Sequence, residues 1–404
     1  MDSKEKKEFN KSLQYALVIL YIAFNIFGGC YQQSPTSPSP AQIENMVINF
    51  GGTNLDGFSS AAQTPDGGFI LAGVTYSFGA GEGDAWIVKI DSTGGKVWER
   101  VYGGSEEDEV YEIRNYDDNT YVLLGYTESF GNGKSDVWLL TIDGNGQLIS
   151  SRTFGGEERD YGTGLDITAN GEYVLCGSVD GTFFIYYLDA SQNIKWKHEW
   201  PKEDEDINIY DVKWTPDNEI VATGESYGKY IIVIKLSGSG DLLWQKRYFS
   251  EKYTQATRRG NCINVTSDNG YIITGVGNTY KSRDNIGSNY EAILLKVNED
   301  GSMIWSKIID RISVELFYRT FENSDHEIVA FGRTFDGANV EVGAWLAVFN
   351  QNGEMKREVL YGKYGFIFGN FCSETSNGRY ILAGSTYNGN GCVMLVDKKG
   401  MRIW

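Results

Sequence analysis

Asp91-Ser92-Thr93-Gly94-Gly95-Lys96-Val97-Trp98 decides how this chain is read, because it recurs to the C-terminus. Its tryptophan position falls at Trp98, Ser150, Trp196, Trp244, Trp305, Arg357 and Trp404. Four residues earlier stands Gly94, Gly146, Gly240, Gly301, Gly353 or Gly400, with Gln192 as the exception. A short hairpin turn with one residue at positive φ explains the glycine, which enters that region without a Cβ penalty. The Asp or Asn at the turn entry can accept from backbone N–H groups inside the turn.

Working outward, Asp84-Ala85-Trp86-Ile87-Val88-Lys89-Ile90 precedes the turn and is echoed by Asp136-Val137-Trp138-Leu139-Leu140-Thr141-Ile142. Before that comes Thr64-Pro65-Asp66-Gly67-Gly68-Phe69-Ile70-Leu71-Ala72-Gly73, with weaker copies at 266–275 and 377–384. An aromatic-Gly-Gly motif opens the unit at Phe50, Tyr102 and Phe154. Each unit thus reads as four strands of about five or six residues, rich in Ile, Val, Tyr and Trp. Such a unit cannot bury both its faces alone, whereas radial stacking buries them. The fold expected is all-β: a seven-bladed β-propeller of four-stranded antiparallel blades over residues 44–404. Four residues after each tryptophan position lies a second position on the same face: Tyr102, Phe154, Trp200, Tyr248, Ile309 and Tyr361. The seventh copy would fall beyond Trp404, and Phe50, with Met46 before it, supplies a match. Residues 46–50 are therefore expected to pair into the last blade, beside or in continuation of 401–404.

These units resemble a family of bacterial and archaeal surface repeat proteins of the type GGxxxD…TxDGGYIxxGxT…DxWxxKxDxxGxxxW. Ser77-Phe78-Gly79-Ala80-Gly81 and Ser129-Phe130-Gly131-Asn132-Gly133 match it closely. The turn-plus-tryptophan element also looks like the tryptophan-docking motif of quinoprotein-type propellers, in which the indole packs over the neighbouring blade. That resemblance implies a scaffold and not a quinone site, since no vicinal cysteines are present.

Composition narrows the function. The net charge of −18 argues against nucleic acid and anionic headgroups as partners. Neither of the two histidines, His198 and His326, lies in a zinc-hydrolase spacing. Cys176, Cys262, Cys372 and Cys392 form no CxxC pair, and their spacing specifies no disulfide. No cofactor and no metal site are expected.

The N-terminus reads as an address. Lys4, Lys6, Lys7 and Lys11 precede an apolar run, Tyr15 to Phe27, and then Gly28-Gly29-Cys30. A basic segment, a short apolar run and a small-residue cleavage site describe a signal peptide, here over 1–29. The site resembles the bacterial lipobox, which implies lipidation of Cys30 and attachment to a cell membrane or outer membrane. Residues 30–43, with Pro35, Pro38 and Pro40, read as an extended tether.

Two features could carry a site. An acidic residue follows six after the aromatic position as Asp56, Asp108, Asp160, Asp206 and Glu315. By the blade order of related propellers these copies share one rim. They could bind a cation or a polar partner, or each could cap its own turn. The tryptophans recur at a structural register, which assigns them to packing. The longest insertion, 278–290, brings Tyr280, Lys281, Arg283 and Tyr290 as a candidate partner loop. The function expected is a non-enzymatic, monomeric envelope lipoprotein whose propeller binds a protein or glycan. An envelope assembly factor and an enzyme acting on extracellular polymers are the alternatives.

Overall fold

The computed structural model describes residues 47–200, 207–248, 257–279, 289–309, 314–335, 343–362 and 365–404. Its 28 strands begin with β1 (Ile48–Phe50). The first set is β2 (Asp56–Gln63), β3 (Phe69–Thr75), β4 (Asp84–Ile90) and β5 (Lys96–Tyr102). The second is β6 (Asp108–Asn115), β7 (Thr120–Thr127), β8 (Asp136–Asp143) and β9 (Leu148–Phe154). The third is β10 (Tyr161–Ile167), β11 (Tyr173–Val179), β12 (Thr182–Leu188) and β13 (Ile194–Trp200). The fourth is β14 (Ile207–Trp214), β15 (Glu219–Ser226), β16 (Tyr230–Ser237) and β17 (Leu242–Tyr248). The fifth is β18 (Thr257–Val265), β19 (Tyr271–Thr279), β20 (Asn289–Val297) and β21 (Met303–Ile309). The sixth is β22 (Val314–Glu322), β23 (Ile328–Phe335), β24 (Gly343–Phe349) and β25 (Met355–Leu360). The last is β26 (Phe366–Glu374), β27 (Tyr380–Thr386) and β28 (Gly391–Val396), with β1 as its fourth strand.

Each set is an antiparallel meander, and the whole is propeller-like. A single parallel pairing, Tyr290 with Val314, joins the fifth and sixth sets. No α-helix occurs among the described residues. The strands exceed the expected five or six residues because the ladders run close to the turns. In the first set, pairing extends from Asp56 with Thr75 to Gln63 with Phe69.

Burial explains the stacking. Seven hydrophobic clusters each draw on two neighbouring sets. Val174 and Ile185 of the third set, for example, share a cluster with Val212 and Ile232 of the fourth. One cluster joins Phe58, Leu71 and Trp86 of the first set to Phe371, Ile381 and Val393 of the last.

The repeated turn is explained by two features. Glycine there has positive φ, as at Gly146 (71°) and Gly301 (75°). Its missing Cβ also makes room for the indole of the preceding set. A Cβ on Gly146 would stand 2.9 Å from Trp98, on Gly301 2.9 Å from Trp244, and on Gly353 2.9 Å from Trp305. The indole N–H then donates to the same turn: Trp98 to the Gly144 carbonyl (3.2 Å), Trp196 to Gly238 (3.0 Å) and Trp305 to Gln351 (2.8 Å). Gln192 also has positive φ (65°), and it faces Ser150 where five of the other sets place tryptophan. Its amide donates to Thr141 Oγ1 (3.0 Å) and Ser150 Oγ (3.3 Å), filling the space an indole would take.

Every first strand carries a β-bulge at the same register. The bulged residues are Ser59, Tyr111, Thr163, Tyr210, Asn261, Tyr318 and Asn370, and all seven are half-buried. Apart from the single Tyr290–Val314 pair, the free edge of a first strand has no strand partner among the described residues, so its polar groups need others. Several bulge residues supply them across sets. Thr163 Oγ1 donates to Ile209 O (3.3 Å), Asn261 Nδ2 to Phe317 O (2.9 Å) and Asn370 Nδ2 to Phe58 O (3.0 Å).

Candidate functional site

Antiparallel pairing puts the start of a first strand, the end of the second and the start of the third at one edge of each set. Asp56, Thr75 and Asp84 meet there in the first set. The acidic positions and the long loops after the second strands therefore share that edge. Here Asp56 folds back into its own loop. It accepts from Gly52 N (2.8 Å), Ser77 Oγ (2.8 Å) and the Thr75 hydroxyl. Asp108 repeats this with Gly104 N (2.8 Å), Ser129 Oγ (2.7 Å) and the Thr127 hydroxyl. Asp160 accepts from Gly156 N (2.7 Å) and Asp180 N (2.6 Å). Burial pushes its carboxyl up to about 6, with Asp180 and Asp136 adding to the shift. Glu315 is buried at the matching register, opposite Thr334.

Asp206 lies outside the described residues. The register of the fourth set gives the corresponding position to Ile207, which pairs with Ser226 as Asp56 pairs with Thr75. In the fifth set it belongs to Arg258. The four described acidic residues are thus buried, each in its own set. Among the described residues, Asp217, Glu219 and Glu299 are brought within reach of one another, and Lys235 Nζ lies among them, 2.5 Å from Glu219 Oε2.

Of the candidate loop, Tyr280, Lys281 and Arg283 lie outside the described residues, as do Cys30 and the tether. Tyr290 is half-buried and pairs with Asn278. No helix among the described residues is long and apolar enough to cross a membrane. Cys176, Cys262, Cys372 and Cys392 are free, buried thiols. Burial pushes the Cys262 thiol up to about 11, which withholds the thiolate a nucleophile needs.

Sequence reasoning missed the inner edge of the sets. Below the bulges, Glu112 of the second set reaches Arg319 of the sixth, with Oε2 to Nη2 at 3.7 Å. Lys213 Nζ meets Asp211 Oδ1 at 2.6 Å, and Asp211 Oδ2 accepts from Ile263 N of the fifth set (2.9 Å). Asp166 Oδ2 accepts from Trp214 N (2.8 Å) and lies in the field of Lys213 and Arg114. Three acidic and three basic side chains therefore neutralise one another where first strands from several sets converge.

Above the bulges, towards the acidic edge, the surroundings change. Glu109 is buried, and burial, with the charge of Glu107 added, pushes its carboxyl up to about 8. The Tyr76 hydroxyl donates to Glu107 Oε1 (2.5 Å). Tyr126 packs edge-on against Tyr161 at 5.0 Å, and Arg159 binds Glu128 at 2.7 Å. Further round, the Arg259 guanidinium lies 5.6 Å from the Tyr210 ring. Arg333 lies 5.8 Å from Tyr318 and 5.2 Å from Phe368. Tyr210 and Asn208 both donate to Glu225 Oε1. The signal for this region in the sequence is the polar residue at each bulge, legible only once the register is known.

No protein-family model matches the sequence, and no curated protein matches it. Solved structures match in shape. The BP39L lectin from Burkholderia pseudomallei superposes with a TM-score of 0.59 at 9% identity, over 86% of this chain and 98% of that one. Sqt1 from Chaetomium thermophilum gives 0.53 at 11%, over 88% and 99%. A protein from Lactobacillus plantarum gives 0.52 at 13%, over 76% and 86%. At such identities the likeness is one of fold alone.

Proposed function

We propose that the chain is a non-enzymatic envelope lipoprotein, anchored through Cys30, whose seven-bladed propeller binds a protein or glycan partner. The proposed ring consists of the seven four-stranded sets and closes where β1 completes the last one. Support for closure comes from the links between the first and last sets, Asn370 to Phe58 O and Trp404 Nε1 to Ser92 O (3.0 Å). The observation that carries the binding reading is the set of seven half-buried polar bulge residues above a neutralised charged plug. A propeller axis blocked partway is a dead-end funnel, and concave sites with a few convergent polar groups are where ligands bind. Loops on the same edge would widen the contact.

Two measurements test this. Labelled palmitate should enter the chain in a lipoprotein-processing host, and an unlabelled, uncleaved product would sink the anchor. A pull-down from solubilised envelope should retain a partner. Retention unchanged by substitutions at Tyr111 and Tyr318 would move the site away from the axis.

A further inference from the structure

At the edge opposite the acidic one, the turns between third and fourth strands differ in one set. Their two central residues are Ser92-Thr93, Gly144-Asn145, Ala190-Ser191, Gly238-Ser239, Gln351-Asn352 and Lys398-Lys399, but Glu299-Asp300 in the fifth. An acidic pair found in one set only is not required by the repeat, and such departures on a rigid scaffold are where binding sits. The pair lines a cavity of about 540 Å³ between the fourth and fifth sets, with Asp268 and Asn298 of the fifth and Lys235, Leu243 and Trp244 of the fourth. Buried Lys235 meets three carboxylates, Glu219 (2.5 Å), Asp217 (3.3 Å) and Glu299 (3.5 Å). Lys296 binds Asp268 (2.6 Å), and Lys246, 5.8 Å from the Trp244 ring, donates to the Asp300 carbonyl (2.6 Å). Five carboxylates around the cavity thus share three ammonium groups. The other wall is apolar: Leu243 is 47% exposed, and Leu242 beside it and Met303 just after the turn are exposed as well. Trp98, Trp196, Trp305 and Trp404 donate their indole N–H to the turn of the next set. Trp244 makes no hydrogen bond among the described residues, and its N–H stays open.

From this juxtaposition we propose that the seam between the fourth and fifth sets docks a basic peptide segment of a partner protein. An arginine of that segment faces the carboxylates of Glu299 and Asp300, and its methylene stem lies along Leu243 and Trp244. Arginine fits a cleft that is acidic on one wall and apolar on the other, because its stem packs while its weakly hydrated fork bonds carboxylates. A bare metal ion fits less well, since the Lys235 ammonium already stands among Asp217, Glu219 and Glu299 and the apolar wall offers an ion nothing. The apolar flank of Leu242 and Met303 extends past what one small amine would cover, and a peptide chain would use it. This surface is separate from the axis and does not depend on a ligand bound there.

The test follows the indole N–H signals of the isotope-labelled full chain during titration with acetyl-Leu-Arg-Leu-Arg-amide, and with the same peptide carrying citrulline for both arginines. Trp244→Phe identifies the Trp244 signal by its loss. The arginine peptide should move that signal saturably and bind at least tenfold more tightly than the citrulline peptide. Glu299→Gln combined with Asp300→Asn should weaken it tenfold or more with the thermal midpoint unchanged. If that double variant unfolds, Leu243→Ser removes the apolar wall at an exposed position and should weaken binding as well. No saturable movement of the Trp244 signal, equal affinity for the citrulline peptide, or binding untouched by these variants would each overturn the assignment. Spermidine binding as tightly as the arginine peptide would give the cavity to free polyamines, and calcium displacing the peptide at equal occupancy would give it to a metal ion; either result overturns the peptide reading.

Discussion

Gln192 shows how one residue position answers another in the next set. Its positive φ suits glycine, and the other sets place glycine there, five of the six under an indole and Gly400 beside Val359 and Tyr361. Where the indole is replaced by Ser150, a glutamine can fill the hollow and bond the serine. Ser150→Trp alone should therefore collide with Gln192 and cost about 1–3 kcal/mol, the usual penalty of overpacking. Gln192→Gly alone should cost about 1 kcal/mol through two lost hydrogen bonds. The double variant should recover much of the loss, with a coupling of about 1–3 kcal/mol by denaturant unfolding. Simple additivity would mean the two positions do not share the space. Glu109 gives a second residue-scale prediction. Its carboxyl is raised to about 8 in the fold, so the folded state holds a proton that the unfolded chain has released. Stability from this group is complete below about pH 4 and is lost as pH rises towards 8. Glu109→Gln should flatten that fall, and a profile that stays as steep would assign the titration elsewhere.

At the scale of the element, the acidic residue at the head of a first strand fastens two loops of its own set. Asp108 accepts from a backbone amide and from two hydroxyls, one at the end of the second strand and one just beyond it. Asp108→Ala should cost about 2–4 kcal/mol, since charged acceptors contribute more than neutral ones and their donors would be left buried. Calcium should leave the thermal midpoint of the native chain unchanged. A calcium-dependent rise abolished by Asp108→Ala would instead restore a cation role. These elements show how far the sequence could be read. Turn glycines, strand alternation and docking tryptophans were legible because each obeys a rule within about ten residues of chain. The bulges were not, since Ser59, Tyr111, Thr163, Asn261 and their counterparts share no residue type, only a place in the register. The plug was equally hidden, because Glu112 and Arg319 belong to sets far apart in sequence. Asp206 went astray for a local reason: counting six from Trp200 misses the register, which favours Ile207 by one residue.

For the whole molecule, the decisive question is how the last set gains its outer strand. β28 takes partners from both ends of the chain. Val396 pairs with Arg402, and Leu395 exchanges hydrogen bonds with Ile403 and Trp404. Further along the same edge Val393 pairs with Ile48 and Gly391 with Phe50. Trp404 and Ile48 then lie together against Gly94 of the first set, and Phe50 packs edge-on to Phe58 at 6.0 Å. The outer strand is thus a composite, in which 401–404 supply the tryptophan position and 48–50 the aromatic after it. Without the N-terminal part, β28 keeps an unpaired edge and the first set loses apolar cover. A chain starting at residue 51 should be several kcal/mol less stable than one starting at 43, given roughly 1.5–3 kcal/mol per large side chain buried. Removing 401–404 should cost a similar amount. Removing both should cost less than the sum, because each truncation already weakens the shared edge and the cover of Gly94. Denaturant midpoints and m-values of the four chains decide the matter. Equal midpoints with and without residues 43–50 would mean that β1 contributes nothing to closure of the proposed ring and that other links between the first and last sets, those of Asn370 and Trp404 among them, carry it.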